Sequence, residues 1–409
     1  MVLIIKKPIK QKLKQSKLTL TKIDRPHRIV FFGRYDSTYP RNAILRDGLK
    51  RNGFVVEEAN LDYKVYRNRI VSIQRWLPRI MGAVVAEGLR IGGIFYLILR
   101  YACKLIKSSI WFVPEFCFKE TVLLAPLAWL LRKKIVFDPL VSGYDTAVLD
   151  RNEYNPESFF ARYIRIQDRL SLRTSDLVIF DTATHEKYFK RLLGVKLASS
   201  AVIPVGFNSK VFIRDLFSKR NNQEDTLNVA YWGTVVPLHG IDRVVRATQL
   251  VQKESNIRFH FFLQNNQDKL EFLRNVEGGD GTLPTNVTVH LHRIMDDPSV
   301  LCSMGAAIGI FGTSQKAGNV ISSKIYEAMS LGIPVFTADT KAIREFFTDG
   351  RNIVLCELGC PESLSDKLLY YCKHRAELLS IGLRAKNLVW EKFEAKPLGS
   401  SLGSLLKAL

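Results

Sequence analysis

The sequence predicts an α/β protein made of two doubly wound, Rossmann-like domains, and three observations carry that prediction. The chain has 409 residues, more than one ordinary core supports and enough for two domains. Short apolar runs ending at glycine or a polar residue alternate with helix-period segments, the signature of βαβ units with parallel strands. That rhythm stops at "SKRNNQEDT", residues 218–226, and then restarts.

In order along the chain, "RIVFFGR" (28–34) is an apolar run broken by Gly33. The loop "YDSTYPRN" leads into a helix-period segment, "AILRDGLKRNG", closed by Gly53, and then into a second strand, "FVVEEA". "KKIVFDP" (133–139), "SDLVIFDT" (175–182) and "SAVIPVG" (200–206) are further strands, with the helix-like "RYIRIQDRLSLRT" among them. After the polar stretch come the strand "LNVAYWG", the helix "IDRVVRATQLVQKE", and strands in "IRFHFFL", "NVTVHLH", "GAAIGIFG" and "PVFTAD". A helix from about Ser323 to Leu331 precedes the last of these, and residues 378–409 read as long and helical. The expected organisation is a basic tail over 1–26, a first domain over 27–206, a linker over 207–226 and a second domain over 227–390. A terminal helix over 391–409 either packs on its own domain or returns to the first.

Composition narrows the setting. Hydrophobic residues make up 47% and charged residues 24%, as in ordinary globular proteins. A net charge of +21 implies an acidic partner: nucleic acid, anionic membrane or a phosphorylated substrate. Residues 1–26 hold eight Lys or Arg against Asp24, and residues 64–110 hold nine against Glu87. In the second of these the bases alternate with Trp76, Leu77, Ile80, Phe95, Tyr96 and Leu99, the mixture an interfacial helix needs. No apolar run reaches the roughly 20 residues of a membrane span. "MVLIIKKPIK" lacks the order of a signal peptide, and the six scattered cysteines form no CxxC pair. The expectation is a cytoplasmic protein, peripheral on the cytoplasmic face of a membrane.

In open parallel sheets ligands bind at the carboxyl ends of strands. Two such loops in the second half stand out. In "YWGTVVPLHGIDRVV" (231–245) Gly233 allows close backbone approach, while Thr234 and His239 offer polar groups. The same loop also fits an ordinary strand–loop–helix turn. In "KAGNVISSKIYEAMSLGIPVF" (316–336) Lys324 sits in a first helical turn, where the dipole disfavours a cation unless an anion balances it. Ser322 or Ser323 is the expected cap. Glu327 lies one turn further in, within reach of a sugar or ribose hydroxyl; alternatively Lys324 and Glu327 are an i,i+3 surface pair.

These segments, with "FDTATHEKYFKRLLG" and "VIPVGFNSKVF", resemble the GT-B glycosyltransferases of the retaining, family 4-like group (glycosyl transferases group 1). The resemblance runs from about residue 28 to the end and is strongest over 227–355. It implies two Rossmann-like domains facing across a cleft, a nucleotide-diphosphate sugar on the second domain and an acceptor on the first. The group's Glu-x7-Glu motif falls on Asn319 and Glu327, so the ribose-holding acid is kept and the sugar-contacting one is an amide. Its usual Arg and Lys around the diphosphate fall on Thr234 and His239.

The resemblance thus implies a donor-binding set of Gly233, Thr234, Lys316, Asn319, Val320, Ser323, Lys324 and Glu327. Lys324, His239 and Asp36 are the candidate catalytic residues, His239 being the one whose charge changes near neutral pH. Developing negative charge on the departing diphosphate would meet backbone amides and Lys324. No Asp-x-Asp occurs, so no metal is expected, and no cofactor beyond the nucleotide-sugar substrate.

On the acceptor side the candidates are Arg34, Arg41, Asp138 and His185. Asp36 fits a turn as well as an acceptor contact, Asp138 and Asp145 share that ambiguity, and His185 fits placement by a helix start. The basic, apolar 64–112 region favours a lipid-linked acceptor in the synthesis of a cell-surface glycan. Two other readings stand beside this one. A catalytically impaired GT-B-like partner protein follows from Asn319, Thr234 and His239. A nucleic-acid-binding protein follows from charge alone, although no recognition motif supports it.

Overall fold

The computed structural model describes residues 27–61, 72, 79–214, 226–254, 256–276 and 283–409. The basic tail 1–26, Trp76 and Leu77, and most of the expected linker lie outside the described residues.

Among these residues the strands form two parallel six-stranded sheets. The first takes β1 (Arg28–Gly33), β2 (Val55–Asn60), β3 (Ile110–Val113), β4 (Lys134–Phe137), β5 (Leu177–Phe180) and β6 (Ser200–Val202), in the order β2-β1-β3-β4-β5-β6. The second takes β7 (Leu227–Trp232), β8 (Ile257–Leu263), β9 (Val287–Leu291), β10 (Ala306–Ile308), β11 (Val335–Ala338) and β12 (Val354–Cys356), in the order β12-β11-β10-β7-β8-β9. Every ladder is parallel, with Val229 beside Phe259 and Ala306 across the centre of the second sheet. Both sheets are doubly wound, and the architecture is GT-B. Strand order reverses between β1 and β3 in the first sheet and between β7 and β10 in the second, the places where such sheets bind ligands.

The strands are short and apolar because helices cover both faces, so no polar face is left to alternate. The helices are α1 (Pro40–Arg51), α2 (Arg79–Arg100), α3 (Ala102–Lys107), α4 (Phe118–Leu130), α5 (Phe159–Arg173) and α6 (Ala183–Leu193) in the first lobe. Then come α7 (Ile241–Leu250), α8 (Asn266–Val276), α9 (Ser323–Ser330), α10 (Pro361–Lys373), α11 (Arg375–Lys392) and α12 (Ala395–Lys407). Thr182 caps α6 by accepting from the His185 amide, and Gly194 closes that helix at φ +60°.

Two elements differ from the sequence reading. "IWFV", inside the basic, apolar stretch, is the strand β3 next to β1, and its four residues are buried. A central strand buried on both faces carries no period that separates it from neighbouring apolar helices. The helical C-terminus breaks at Phe393 and Glu394 into α11 and α12. α12 packs on α1 of the first lobe, so closely that a Cβ on Gly399 would lie 2.1 Å from the Gly48 carbonyl carbon.

That crossing tolerates no side chain. Gly399→Leu is expected to destabilise by about 1–3 kcal/mol or more through overpacking, read as a lower melting temperature in calorimetry; an unchanged melting temperature would refute the crossing.

Candidate active site

The two loops at the switch point of the second sheet close on each other backbone to backbone. After Trp232 the chain turns at Gly233, whose φ of +120° is one that other residues rarely adopt. It continues through Pro237–His239 to Gly240, where a Cβ would meet the Phe311 carbonyl carbon at 2.3 Å. The Phe311 amide donates to the His239 carbonyl at 3.1 Å, tying the loop after β10 to the loop after β7.

Lys324 lies beneath this junction. It is buried at 4% exposure, and its Nζ has no hydrogen-bond partner among the described groups. The ammonium sits 4.1 Å from the centroid of the Tyr231 ring, and a Cβ on Gly233 would be 3.7 Å from it. Burial pulls its pKa down to about 7, against the attraction of Glu327. Lys324 belongs to the first turn of α9, where Ser322 is the N-cap but makes no side-chain cap.

Glu327 is buried as well, and its Oε2 accepts from Trp232 Nε1 at 3.0 Å. Burial raises its pKa, opposed by hydrogen bonds from Trp232 and Ser323. The surface-pair reading of Lys324 and Glu327 is therefore excluded.

His239 corrects a second expectation. Its Nδ1 lies 2.7 Å from the Thr234 carbonyl, which only accepts, so Nδ1 carries the proton and Nε2 a lone pair. Burial first, then the positive charge of Lys324, pushes its pKa down to about 3. The imidazole is neutral at neutral pH and contributes a dipole rather than a titrating charge.

The structure brings Gly233, His239, Ser323, Lys324 and Glu327 to one place. Thr234 joins them through its carbonyl. Asn319 is occupied, with its Nδ2 donating to Gln315 and its carbonyl accepting from Thr182 across the cleft at 2.7 Å. Val320, half-buried, follows it in the same loop. Lys316 turns away, its Nζ donating to Thr146 of the first lobe at 2.9 Å with Asp150 3.8 Å distant.

In the first lobe Arg41 and Asp138 do not face an acceptor. Both have no exposed surface. Arg41 Nε meets Asp138 at 2.8 Å, and its Nη1 donates to the Ile203 and Pro204 carbonyls. Arg34 Nε donates to Glu120 at 2.6 Å. Asp36 accepts from the Thr38 amide at 2.9 Å, which makes it a turn residue. His185 is buried against Asp181 through Nδ1 and stacks on Tyr188. Among the described residues no group of three or more His, Cys, Asp or Glu could hold a metal ion.

Sequence reasoning missed Tyr231 and Trp232, which read as strand filler yet seat Lys324 and Glu327. It also missed Glu115, at the carboxyl end of β3. Asn42 donates to Glu115 Oε1 at 2.7 Å and Oε2 has no partner, while burial and then Asp138 push the carboxyl up to about 8. An acid directly after the apolar run "IWFVP" is the signal that pointed there.

With this geometry in place, comparison with known proteins shows which proteins share the fold. A family described as glycosyl transferase-like matches residues 284–396. Anabaena HepE, solved with UDP and glucose, shares the fold at a TM-score of 0.65 and 16% identity, over 94% of this chain and 100% of its own. Sucrose-phosphate synthase from Thermosynechococcus elongatus gives 0.65 and 14%, over 94% and 99%. A glycosyltransferase from Rickettsia africae gives 0.58 and 11%, over 94% and 98%. A search of curated proteins finds no match. The chain has the GT-B fold, and its residues 284–396 are similar to the glycosyl transferase-like family.

The neutral state of His239 is directly measurable. Its Cε1–H resonance, assigned by loss in His239→Gln, should stay at its neutral position from pH 9 down to about 4. A midpoint near 6.5 would refute the buried, carbonyl-bound arrangement.

Proposed function

We propose that the protein is a glycosyltransferase that moves a sugar from a nucleotide-diphosphate sugar to a glycan or lipid-linked acceptor, with retention of anomeric configuration. The observation that carries this is Lys324: a buried ammonium without a hydrogen-bond partner, at the first turn of α9 and under the open backbone of Gly233. An isolated buried charge is costly, so the site is matched to an anion. A diphosphate brings that charge, and breaking the anomeric C–O bond places more of it on the leaving oxygen. Lys324 Nζ and the first-turn amides stabilise it there without reorganising. Glu327, fixed by Trp232, is placed to accept from ribose hydroxyls.

A uridine nucleotide is the first to test, since HepE of the same fold is seen with UDP and glucose. Asn319 supports a different handling of the donor sugar, because an amide engaged by its own loop replaces an acid in the group's motif. The synthesis of a surface glycan remains the proposed setting.

UDP, GDP and ADP should separate in a thermal-shift experiment. At about a hundredfold over Kd, one of them should raise the melting temperature by roughly 5–10 °C, and Glu327→Gln should remove most of that shift. No shift with any nucleotide would overturn the reading; a shift without sugar transfer would turn it to the impaired partner protein.

Proton linkage gives an independent check. The free site holds Lys324 with a pKa of about 7, and a bound diphosphate raises it. Above pH 7, binding should therefore take up close to one proton, and affinity should fall by up to tenfold per pH unit. Calorimetry in buffers of different ionisation enthalpy reads the uptake, which Lys324→Met should abolish. Equal binding heats across buffers for the wild type would contradict the assignment.

A further inference from the structure

The first lobe carries an outward face that its own core does not explain. α2, α4 and α5 run side by side on one side of the first sheet. They meet at Glu87, whose carboxylate accepts from Lys119 of α4 and from Tyr163 Oη of α5. Of α2, only Gly82, Ala86, Ile94 and Leu97 are buried among the residues whose side chains are described. Much of the remainder points outward and is apolar, with Val84 67%, Phe95 53% and Leu99 78% exposed. At the end of α4, Trp129 is 83% exposed.

α5 shows the same design with more charge. Ala161, Asp168 and Leu172 face inward. Phe159, Tyr163, Ile166 and Leu170, spaced four, three and four residues apart, form an exposed stripe on the other side. Arg162, Arg165, Arg169 and Arg173 flank that stripe, and Asp168, the helix's one acid, is buried. Scattered surface apolar residues are ordinary; a run of them over three adjoining helices marks an interaction surface.

We propose that the outer face of α2, α4 and α5 is the surface on which the protein lies on an anionic lipid bilayer. The occupant follows from the chemistry of the face. Exposed aromatic and aliphatic side chains enter the acyl boundary, while arginines at the same level meet lipid phosphates. A protein partner would ask for matching acids and a shaped interface, and this face offers an apolar stripe with a row of arginines along one flank. No helix among the described residues is long and apolar enough to cross a membrane, so the face rests on the bilayer rather than spanning it. α5 starts at Phe159, directly after the loop and π-turn (Asp145–Asp150) that leave β4 and reach Lys316 across the cleft. The face therefore borders the cleft, where a head group standing out of the membrane arrives. The inference deepens the reading of a lipid-linked acceptor and rests on it for what the bilayer presents.

Vesicle flotation tests it with the full chain. The protein should float with phosphatidylcholine–phosphatidylglycerol vesicles at low salt, and about tenfold less with phosphatidylcholine alone. Leu99→Asp combined with Trp129→Asp, and separately Phe159→Asp, should each lower the bound fraction about tenfold. Arg162→Glu with Arg169→Glu should remove the preference for anionic vesicles. All are surface positions, so the melting temperature should hold, and the nucleotide-induced shift should persist, which separates failure here from failure of the transferase reading. Three results would overturn the proposal: no flotation with either vesicle, flotation unchanged in the variants, or a dimer in sedimentation equilibrium that the same substitutions dissociate.

Discussion

Everything in the second lobe's cleft is arranged around one unpaid electrostatic debt, the buried ammonium of Lys324. A pKa lowered from 10.5 to about 7 means that the site, with the attraction of Glu327 included, disfavours the charged form by on the order of 5 kcal/mol. The ring of Tyr231 returns about 0.5–2 kcal/mol of that as a cation–π contact, which is too little to balance it. Glu327 does not close the gap either, because Trp232 and Ser323 already hold its carboxylate. An anion that comes and goes is the partner we propose for it. Gly233, His239 and the first turn of α9 leave the space for it, which a Cβ at 233, in van der Waals contact with both Lys324 and His239, would begin to fill.

The neutrality of His239 belongs to the same constraint. A second cation beside Lys324 would raise the cost of the site further; burial and the Lys324 charge keep the imidazole neutral, and the Thr234 carbonyl fixes its one proton on Nδ1. Protonating Nε2 would add charge to a buried place already short of anions. Folding accordingly loses stability as pH falls below 6.5 toward 3, the window in which the unfolded chain binds this proton and the folded chain does not. The lobes, for their part, touch across the cleft through modest contacts. The Glu345 carboxylate accepts from the Ala183 and Thr184 amides at the start of α6, a favourable charge at a helix N-terminus. Thr182 meets Asn319, and Lys316 meets Thr146. Hydrogen bonds of this kind contribute about 1 kcal/mol each, whereas the α1–α12 crossing is close-packed backbone to backbone.

Most of the fold was legible because a buried parallel strand is written as an uninterrupted apolar run with a glycine or polar residue at its end. Gly33 and Gly233 mark two such ends, and both turn into cleft loops. β3 escaped because its apolar run continues that of α2 and α3, and no period distinguishes them. In the site, Lys324 was legible as a cation where the helix dipole disfavours one, and Glu327 by its distance from it. Burial is what sequence does not carry. Arg41 and Asp138, 97 residues apart, read as two cleft candidates and are each other's partner. His239 read as a titrating group until its desolvation and its carbonyl were seen, and Lys316 read as a ligand of the same anion until Thr146 was found opposite it.

The net charge of +21 also divides along these lines. Among the described residues, the first lobe's buried bases are matched: Arg34 by Glu120 and Arg41 by Asp138. A matched buried pair adds nothing to the field outside, so the excess has to appear at the surface. On α5 it does, as four arginines around an apolar stripe whose helix keeps its acid inside. Opposite, near Lys316 of the second lobe, the same lobe sets Asp145 and Asp150. The lobe is thus polarised, basic and apolar where it faces outward and acidic where it faces Lys316. On the proposed reading, an acceptor with a lipid-bound end and a hydroxylated end would meet complementary surfaces in that order. The two lobes would then answer different parts of one problem, anion binding under Lys324 and delivery of the acceptor to it.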